Sequence, residues 1–250
     1  MSCNSQVVIK KTPEDIALAA AYIFSDTAAS CISDNRRFAV ALSGGSTPRL
    51  FHRLISKQPF NSKIPWDNLH IFWSDERFVP YDHPYSNFGA AKADLIDHVP
   101  IPAHNIHPMP VDLFPDIGAI EYEKELIRYF DLTKGDTPRF DLMFLGLGAD
   151  GHTASLFPGS PVLEERQRLV APVKGGEPDT YRLTMTLSVI NNTRKILMLV
   201  SGNKKAEILR EILEGNHPSL PAQKIRPVYG SLVWLVDEAA ASLTRISKNL

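Results

Sequence analysis

Short apolar runs of strand length recur along this chain with helix-length segments between them, and that alternation most narrows the folds open to it. The runs are residues 7–10, 38–42, 69–73, 140–145, 169–173, 195–200 and 232–236. Several are apolar at successive positions rather than at alternate ones, the pattern of strands covered on both faces. The expected fold is therefore α/β, a Rossmann-like open and mainly parallel sheet with helices on both faces. Helices fit between the strands. Thr12 is placed to cap one that starts at Pro13-Glu14-Asp15, with Ala17, Ala20, Ala21 and Phe24 at helical spacing. Others are expected near 48–56, 87–97, 115–130 and 203–214. The stretch 97–115 carries Pro100, Pro102, Pro108, Pro110 and Pro115, which rules out a long helix. Cutting the chain there would split the βα series into two small cores, so residues 1–250 are expected to form one domain.

Composition excludes several classes of function. With 27 basic and 28 acidic residues the chain has no broad basic surface for nucleic acid or anionic lipid, and any anionic ligand must be held by local charge. Cys3 and Cys31 form neither a CxxC pair nor a metal-ligand spacing. His104 and His107 have HxxH spacing but sit among prolines without an HExxH helix, so no metal is expected. The most apolar stretches, 195–201 and 231–236, fall far short of the roughly 20 residues of a membrane span. The N-terminus has no signal-peptide pattern. A cytoplasmic protein without nucleic-acid or membrane partners, monomeric or homodimeric, is expected.

In open α/β sheets ligands bind beyond the carboxyl ends of the strands, so the loops that follow strands are the places to look. After 38–42 comes Ser43-Gly44-Gly45-Ser46-Thr47-Pro48. Two glycines admit an anion close to the backbone, Ser and Thr add hydroxyls, and Pro48 suits the first turn of a helix whose N-terminus favours negative charge. This reads as a phosphate cradle. It lacks the Gly-Lys-Ser/Thr ending of a P-loop and the last glycine of a nucleophile elbow. After 69–73 comes Ser74-Asp75-Glu76-Arg77-Phe78, where Arg77 can fork onto a phosphate and the carboxylates can hold it in place. A solvated loop tip is the competing reading.

The third loop runs from Gly146 to Gly159 and matches GxGxxG. A dinucleotide site would need a full helix and an acidic residue about 20 positions on. Pro158-Gly159 ends any helix, and Ala171 stands near the acidic position, so no NAD or FAD cofactor is expected. What remains is a glycine-rich turn presenting Asp150 and His152, and a histidine there can take a proton from water and return it. Ser155 lacks elbow spacing and reads as structural. Farther on, Gly202-Asn203-Lys204-Lys205 follows a strand and again makes an anion site, with Lys205 as a mobile point charge.

Taken together, these segments, with Ser86-Asn87 and Arg182-Leu183-Thr184, resemble the glucosamine-6-phosphate isomerase/6-phosphogluconolactonase family from about residue 41 to the last strand. Asp150-Gly151-His152-Thr153-Ala154-Ser155-Leu156-Phe157-Pro158-Gly159 is the most specific carrier. The family's deaminase branch has an aromatic residue where Arg77 stands and Asn-Glu-Pro-Gly where Leu156-Phe157-Pro158-Gly159 stands, so the resemblance is to the lactonase branch. It implies hydrolysis of 6-phospho-D-glucono-1,5-lactone to 6-phosphogluconate in the oxidative pentose phosphate pathway. His152 would be the general base and Asp150 would orient it, with no cofactor. Ser43, Gly44, Gly45, Ser46, Thr47 and Asp75 would bind substrate together with Arg77, Arg182 and Lys205. Asp75 matches the deaminase branch's proton-abstracting aspartate, which keeps an amino-sugar-phosphate isomerase or deaminase as one alternative. A non-catalytic sugar-phosphate sensor is another.

Overall fold

The computed structural model describes residues 4–215 and 220–246. Cys3 lies outside the described residues. The chain runs β1 (Asn4–Lys10), α1 (Pro13–Ser33), β2 (Phe38–Leu42), α2 (Ser46–Ile55), β3 (Leu69–Trp73), β4 (Asp75–Arg77), α3 (Asn87–Asp94) and α4 (Pro115–Phe130). It continues through β5 (Leu142–Leu145), β6 (Val170–Gly175), β7 (Thr180–Met185), α5 (Leu187–Asn191), β8 (Lys195–Val200), α6 (Ala206–Glu214), β9 (Ser231–Asp237) and α7 (Glu238–Ala241).

Six strands form a parallel sheet in the order β1-β9-β8-β5-β2-β3. Strands β2, β3 and β5 are buried at every position, so both faces are covered, as their unbroken apolar sequence requires. On one face α1 and α2 clamp an aromatic cluster. Phe51 stacks on Phe144 of β5 at 4.5 Å, and Phe24 meets Phe38 of β2 edge-on at 5.1 Å. Thr12 starts α1 as expected, in a reciprocal capping box: its Oγ1 accepts from Asp15 N–H, and the Asp15 carboxylate accepts from Thr12 N–H, each at 3.2 Å.

Several expectations need correction. The run 169–173 is not a strand of the parallel sheet: β6 belongs to a separate antiparallel sheet of order β4-β7-β6. Residues 74–78 are not a loop, because Asp75–Arg77 is the edge strand of that small sheet. The expected helix 87–97 stops at Asp94, where Leu95 leaves helical geometry (φ −136°), and a single 3₁₀ turn follows. Helix α2 begins at Ser46, two residues before Pro48. The segment 203–214 opens with a 3₁₀ turn before α6. Pro13–Ser33 is long and apolar enough, by length and composition, to cross a membrane, against the expectation that every apolar stretch falls short of that length. In the fold its apolar stripe, Ile16, Ala17, Ala20, Ala21, Phe24, Ala28 and Cys31, is buried, and the helix packs on α2 and β9.

From β2 the chain moves outward to β3, then returns to the other side of β2 to lay down β5, β8 and β9 in turn. The carboxyl ends of β2 and β5 thus flank the point where strand order reverses, where an open α/β sheet leaves its crevice.

Candidate active site

A cavity of about 260 Å³ opens at that switch point. Its wall includes Ser43 to Pro48 beyond β2, Asp75 and Arg77 of β4, Asn87, Gly146 to Gly148 and His152 to Ala154 beyond β5, Arg182 of β7, and Ser201 and Lys205 beyond β8. Three of the expected loops, and every expected substrate-binding residue, therefore meet around one space. Asp150 stands behind this wall, bound to a residue that forms it.

The glycine loop is built around one pair. His152 Nδ1 lies 2.5 Å from the Asp150 carboxylate, and His152 backbone N–H donates to the same oxygen at 3.1 Å. Two residues this close in sequence meet only in a tight turn. Gly151 supplies positive φ (82°), and Gly151 N–H donates to Gly148 O while Gly148 N–H donates to His152 O. Gly148 also has to be small: a Cβ there would sit 2.0 Å from His152 Nδ1 and 2.6 Å from Asp150 Oδ1. The GxGxxG spacing serves this pair. Burial alone would raise the Asp150 pKa, but the backbone N–H, charge and ring of His152 outweigh it and hold the carboxyl below its ordinary range. A neutral imidazole that gives its Nδ1–H to a carboxylate carries its lone pair on Nε2, the form a general base needs.

Opposite lie the cations. In the antiparallel pairing of β4 with β7, Arg77 and Arg182 stand directly across from each other. Like charges in that position repel. Arg182 is 3% exposed; its burial first, and then the Arg77 charge, pull its pKa below the usual guanidinium value. Its Nε donates to Gly175 O at 2.9 Å and its Nη2 to Glu177 O at 3.1 Å, so the β6–β7 turn straps it in place. Phe157 lies between this guanidinium (5.5 Å) and the His152 ring (4.9 Å). Lys205 has its pKa lowered by burial, with Asp150 acting in the opposite direction.

The two carboxylates beside Arg77 do not grip it by its guanidinium. Glu76 is fully buried and accepts from Ser86 Oγ and from the backbone N–H groups of Arg77, Asn87 and Phe88, pinning the start of α3. Burial raises its pKa against those N–H donors. Asp75, also buried, accepts from Ser155 Oγ at 2.7 Å and from Ser74 Oγ at 3.3 Å. The solvated-tip reading of this segment is thereby overturned, and Ser155 emerges as the tie between the glycine loop and β4. Arg77 Nη1 instead donates to Tyr85 O at 2.8 Å and to Asn87 Oδ1 at 2.7 Å.

The cradle has an open end. Gly45 (φ 113°) precedes α2, and no side chain caps the helix, so its first N–H groups remain available to an anion. Thr47 lines the cavity but its hydroxyl is already shared with Ser201 Oγ at 2.8 Å. Sequence reading missed Ser201 and the work of Asn87. Ser201 carried no signal beyond following a strand. Asn87 had one, in that Ser86-Asn87 opens a helix just after a charged strand.

Such an arrangement pairs a carboxylate-oriented imidazole with a recess for a dianion, which suits attack of water on a phosphorylated, electrophilic carbonyl compound. Residues 11–234 match the family of glucosamine-6-phosphate isomerases/6-phosphogluconolactonase, and the chain belongs to that family. A 6-phosphogluconolactonase from Synechocystis sp. is 42% identical over 218 residues, covering 86% of this chain and 88% of that one. The 6-phosphogluconolactonase of Homo sapiens is 36% identical over 248 residues, 96% of this chain and 94% of its own. Among solved structures, 6-phosphogluconolactonase from Trypanosoma cruzi superposes with a TM-score of 0.85 at 26% identity, covering 97% of each chain.

Proposed function

We propose that this chain, as one α/β domain, hydrolyses 6-phospho-D-glucono-1,5-lactone to 6-phospho-D-gluconate, the lactone-opening step of the oxidative pentose phosphate pathway. The observation that carries the reading is the 2.5 Å contact between His152 Nδ1 and Asp150, with His152 on the wall of a cavity that Arg77 and Arg182 also line. His152 Nε2 takes a proton from a water as its oxygen attacks the lactone carbonyl. The tetrahedral intermediate then collapses, breaking the bond to the ring oxygen, which receives the proton back from His152. The product is a hydroxy acid, and no covalent enzyme intermediate is needed.

The phosphoryl group lies against the Ser43–Gly45 backbone, Ser46, Thr47, Arg77, Arg182 and Lys205. Isomerase or deaminase chemistry through Asp75 is disfavoured, because both its oxygens already accept serine hydroxyls. The near-balanced charge and the absence of CxxC or metal-ligand spacing between the two cysteines in the sequence favour a cytoplasmic enzyme acting on a diffusible metabolite as a monomer or homodimer. The test is hydrolysis of the lactone generated in the cuvette, with wild type and His152→Ala compared against the spontaneous rate. Acceleration by wild type that the variant loses supports activity and base together. No acceleration by wild type sinks the reading.

A further inference from the structure

Arg77 has five N–H hydrogens, and the protein engages them on one side only. Both hydrogens of Nη1 are spoken for, by Tyr85 O and Asn87 Oδ1. Nε is buried and has no hydrogen-bond partner among the described residues, and the hydrogen bonds its guanidinium makes to described residues both come from Nη1, none from Nη2. A buried N–H left unmatched costs free energy unless a ligand completes it. The edge that remains, Nε with Nη2, is the one whose two parallel N–H groups match two oxygens of a phosphoryl group.

Asn87 decides which edge is left. It is 3% exposed, its Nδ2 donates to Asp75 O at 2.8 Å, and its backbone N–H donates to buried Glu76 at 2.8 Å. The side chain is therefore fixed at both ends of its amide and at its backbone. It also fits closely under the cradle, since a Cβ on Gly44 would come within 1.8 Å of Asn87 Oδ1. Arg182 is held in the opposite sense, by Nε and Nη2, and keeps Nη1 free among the described residues.

We propose that Asn87 is a positioning residue that turns the Nε–Nη2 edge of Arg77 to the ligand, so that the phosphoryl group is gripped side-on by Arg77 and end-on by Arg182. This rests on the lactonase reading for its substrate but not for its chemistry, which any phosphomonoester shares. In Asn87→Ala one of the two contacts that hold Nη1 is lost and Tyr85 O alone remains, so the guanidinium can swing about its Cγ–Cδ and Cδ–Nε bonds, and the grip loses its geometry rather than its charge.

The experiment compares wild type, Asn87→Ala and Arg77→Lys on 6-phosphogluconolactone and on glucono-1,5-lactone, with calorimetric binding of inorganic phosphate alongside. For Asn87→Ala, the ratio of kcat/KM between the phosphorylated and the plain lactone is expected to fall about tenfold, through KM rather than kcat. Phosphate binding should weaken by a similar factor. A merely structural role would lower both substrates together, and an unchanged ratio overturns the proposal. Arg77→Lys keeps the charge but offers no paired edge, and it removes little packing. It is expected to lose nearly all the discrimination that Arg77→Ala loses, whereas retention of the wild-type KM within about twofold overturns the side-on grip even if Asn87→Ala fails to fold. Should wild type not hydrolyse the lactone, the phosphate titrations still decide for or against Asn87, so the two readings fail separately.

Discussion

The glycine loop beyond β5 and the arginine pair on the small sheet face each other across one cavity, yet they are built in opposite ways. The loop is mostly local: Gly148, Asp150, Gly151 and His152 hold one another within five residues, and distant residues add the Ala222 N–H on Gly151 O and the tie of Ser155 to Asp75. The arginine pair is assembled from strands more than a hundred residues apart and acquires its geometry only when β4 and β7 pair. A local device suits the base, whose orientation tolerates little error. A long-range one suits the recess, where charge must be gathered against repulsion.

The sharpest way to break this contrast is His152→Ala. Loss of a general base is expected to lower kcat by about 10²–10⁴ with little change in KM. An unaltered kcat would take His152 out of the chemistry and leave the loop without its assigned part. Arg77→Ala should act on the other side, raising KM about ten- to a hundredfold while kcat holds, because a phosphate contact persists from ground state to transition state. A kcat effect of that size would erase the division of labour. Gly148→Ala probes the loop without touching its functional groups. A methyl 2.0 Å from His152 Nδ1 must push the ring or the carboxylate aside, so kcat is expected to drop at least about tenfold in a protein with wild-type melting behaviour.

The smallest expected effect concerns stability and separates the site histidine from one in the scaffold. His52 lies in the last turn of α2, buried, with both ring nitrogens unpartnered among the described residues. Burial lowers its pKa to about 4, against Asp94, which favours the charged ring. The unfolded chain takes up this proton near pH 6.5, before the folded chain does, so the contribution is whole above pH 6.5 and drains away as pH falls toward 4. Between pH 7 and pH 5 the cost is about 2 kcal/mol at roughly 1.4 kcal/mol per pH unit. Denaturant melts at the two pH values should show His52→Leu losing less stability than wild type, and equal losses would mean that the ring is not kept neutral by its surroundings.

What sequence reading reached follows the same line between local and distant. The parallel strands announce themselves because a strand covered on both faces is apolar throughout, and six of them lie where expected, Phe38–Leu42, Leu69–Trp73 and Lys195–Val200 to the residue. Strand β4 is Asp-Glu-Arg, with no apolar run to mark it, and its partner β7 opens on polar residues. Pairing, rather than composition, makes those segments strands, and so 169–173 was assigned to the wrong sheet. At the site, Asp150 and His152 are legible as two residues presented by one turn, whereas their 2.5 Å contact is a finding of the structure. The tie of Ser155 to Asp75, the rotation of Arg77 by Asn87 and the strap on Arg182 all depend on separations from 5 to 80 residues that no local pattern encodes. Thr47 was legible as a hydroxyl at the cradle, but its partner Ser201 was 154 residues away.

The facing of Arg77 and Arg182 reaches beyond catalysis. A pocket that sets two guanidinium groups against each other stores repulsion in the empty molecule, and any small dianion that settles there releases it. Occupancy and folding are then linked by mass action: at a ligand concentration a hundred times its dissociation constant, the native state gains about 2.7 kcal/mol. A metabolite flux that keeps the pocket filled would therefore lengthen the lifetime of its own enzyme, and starvation of that flux would leave the chain more open to proteolysis.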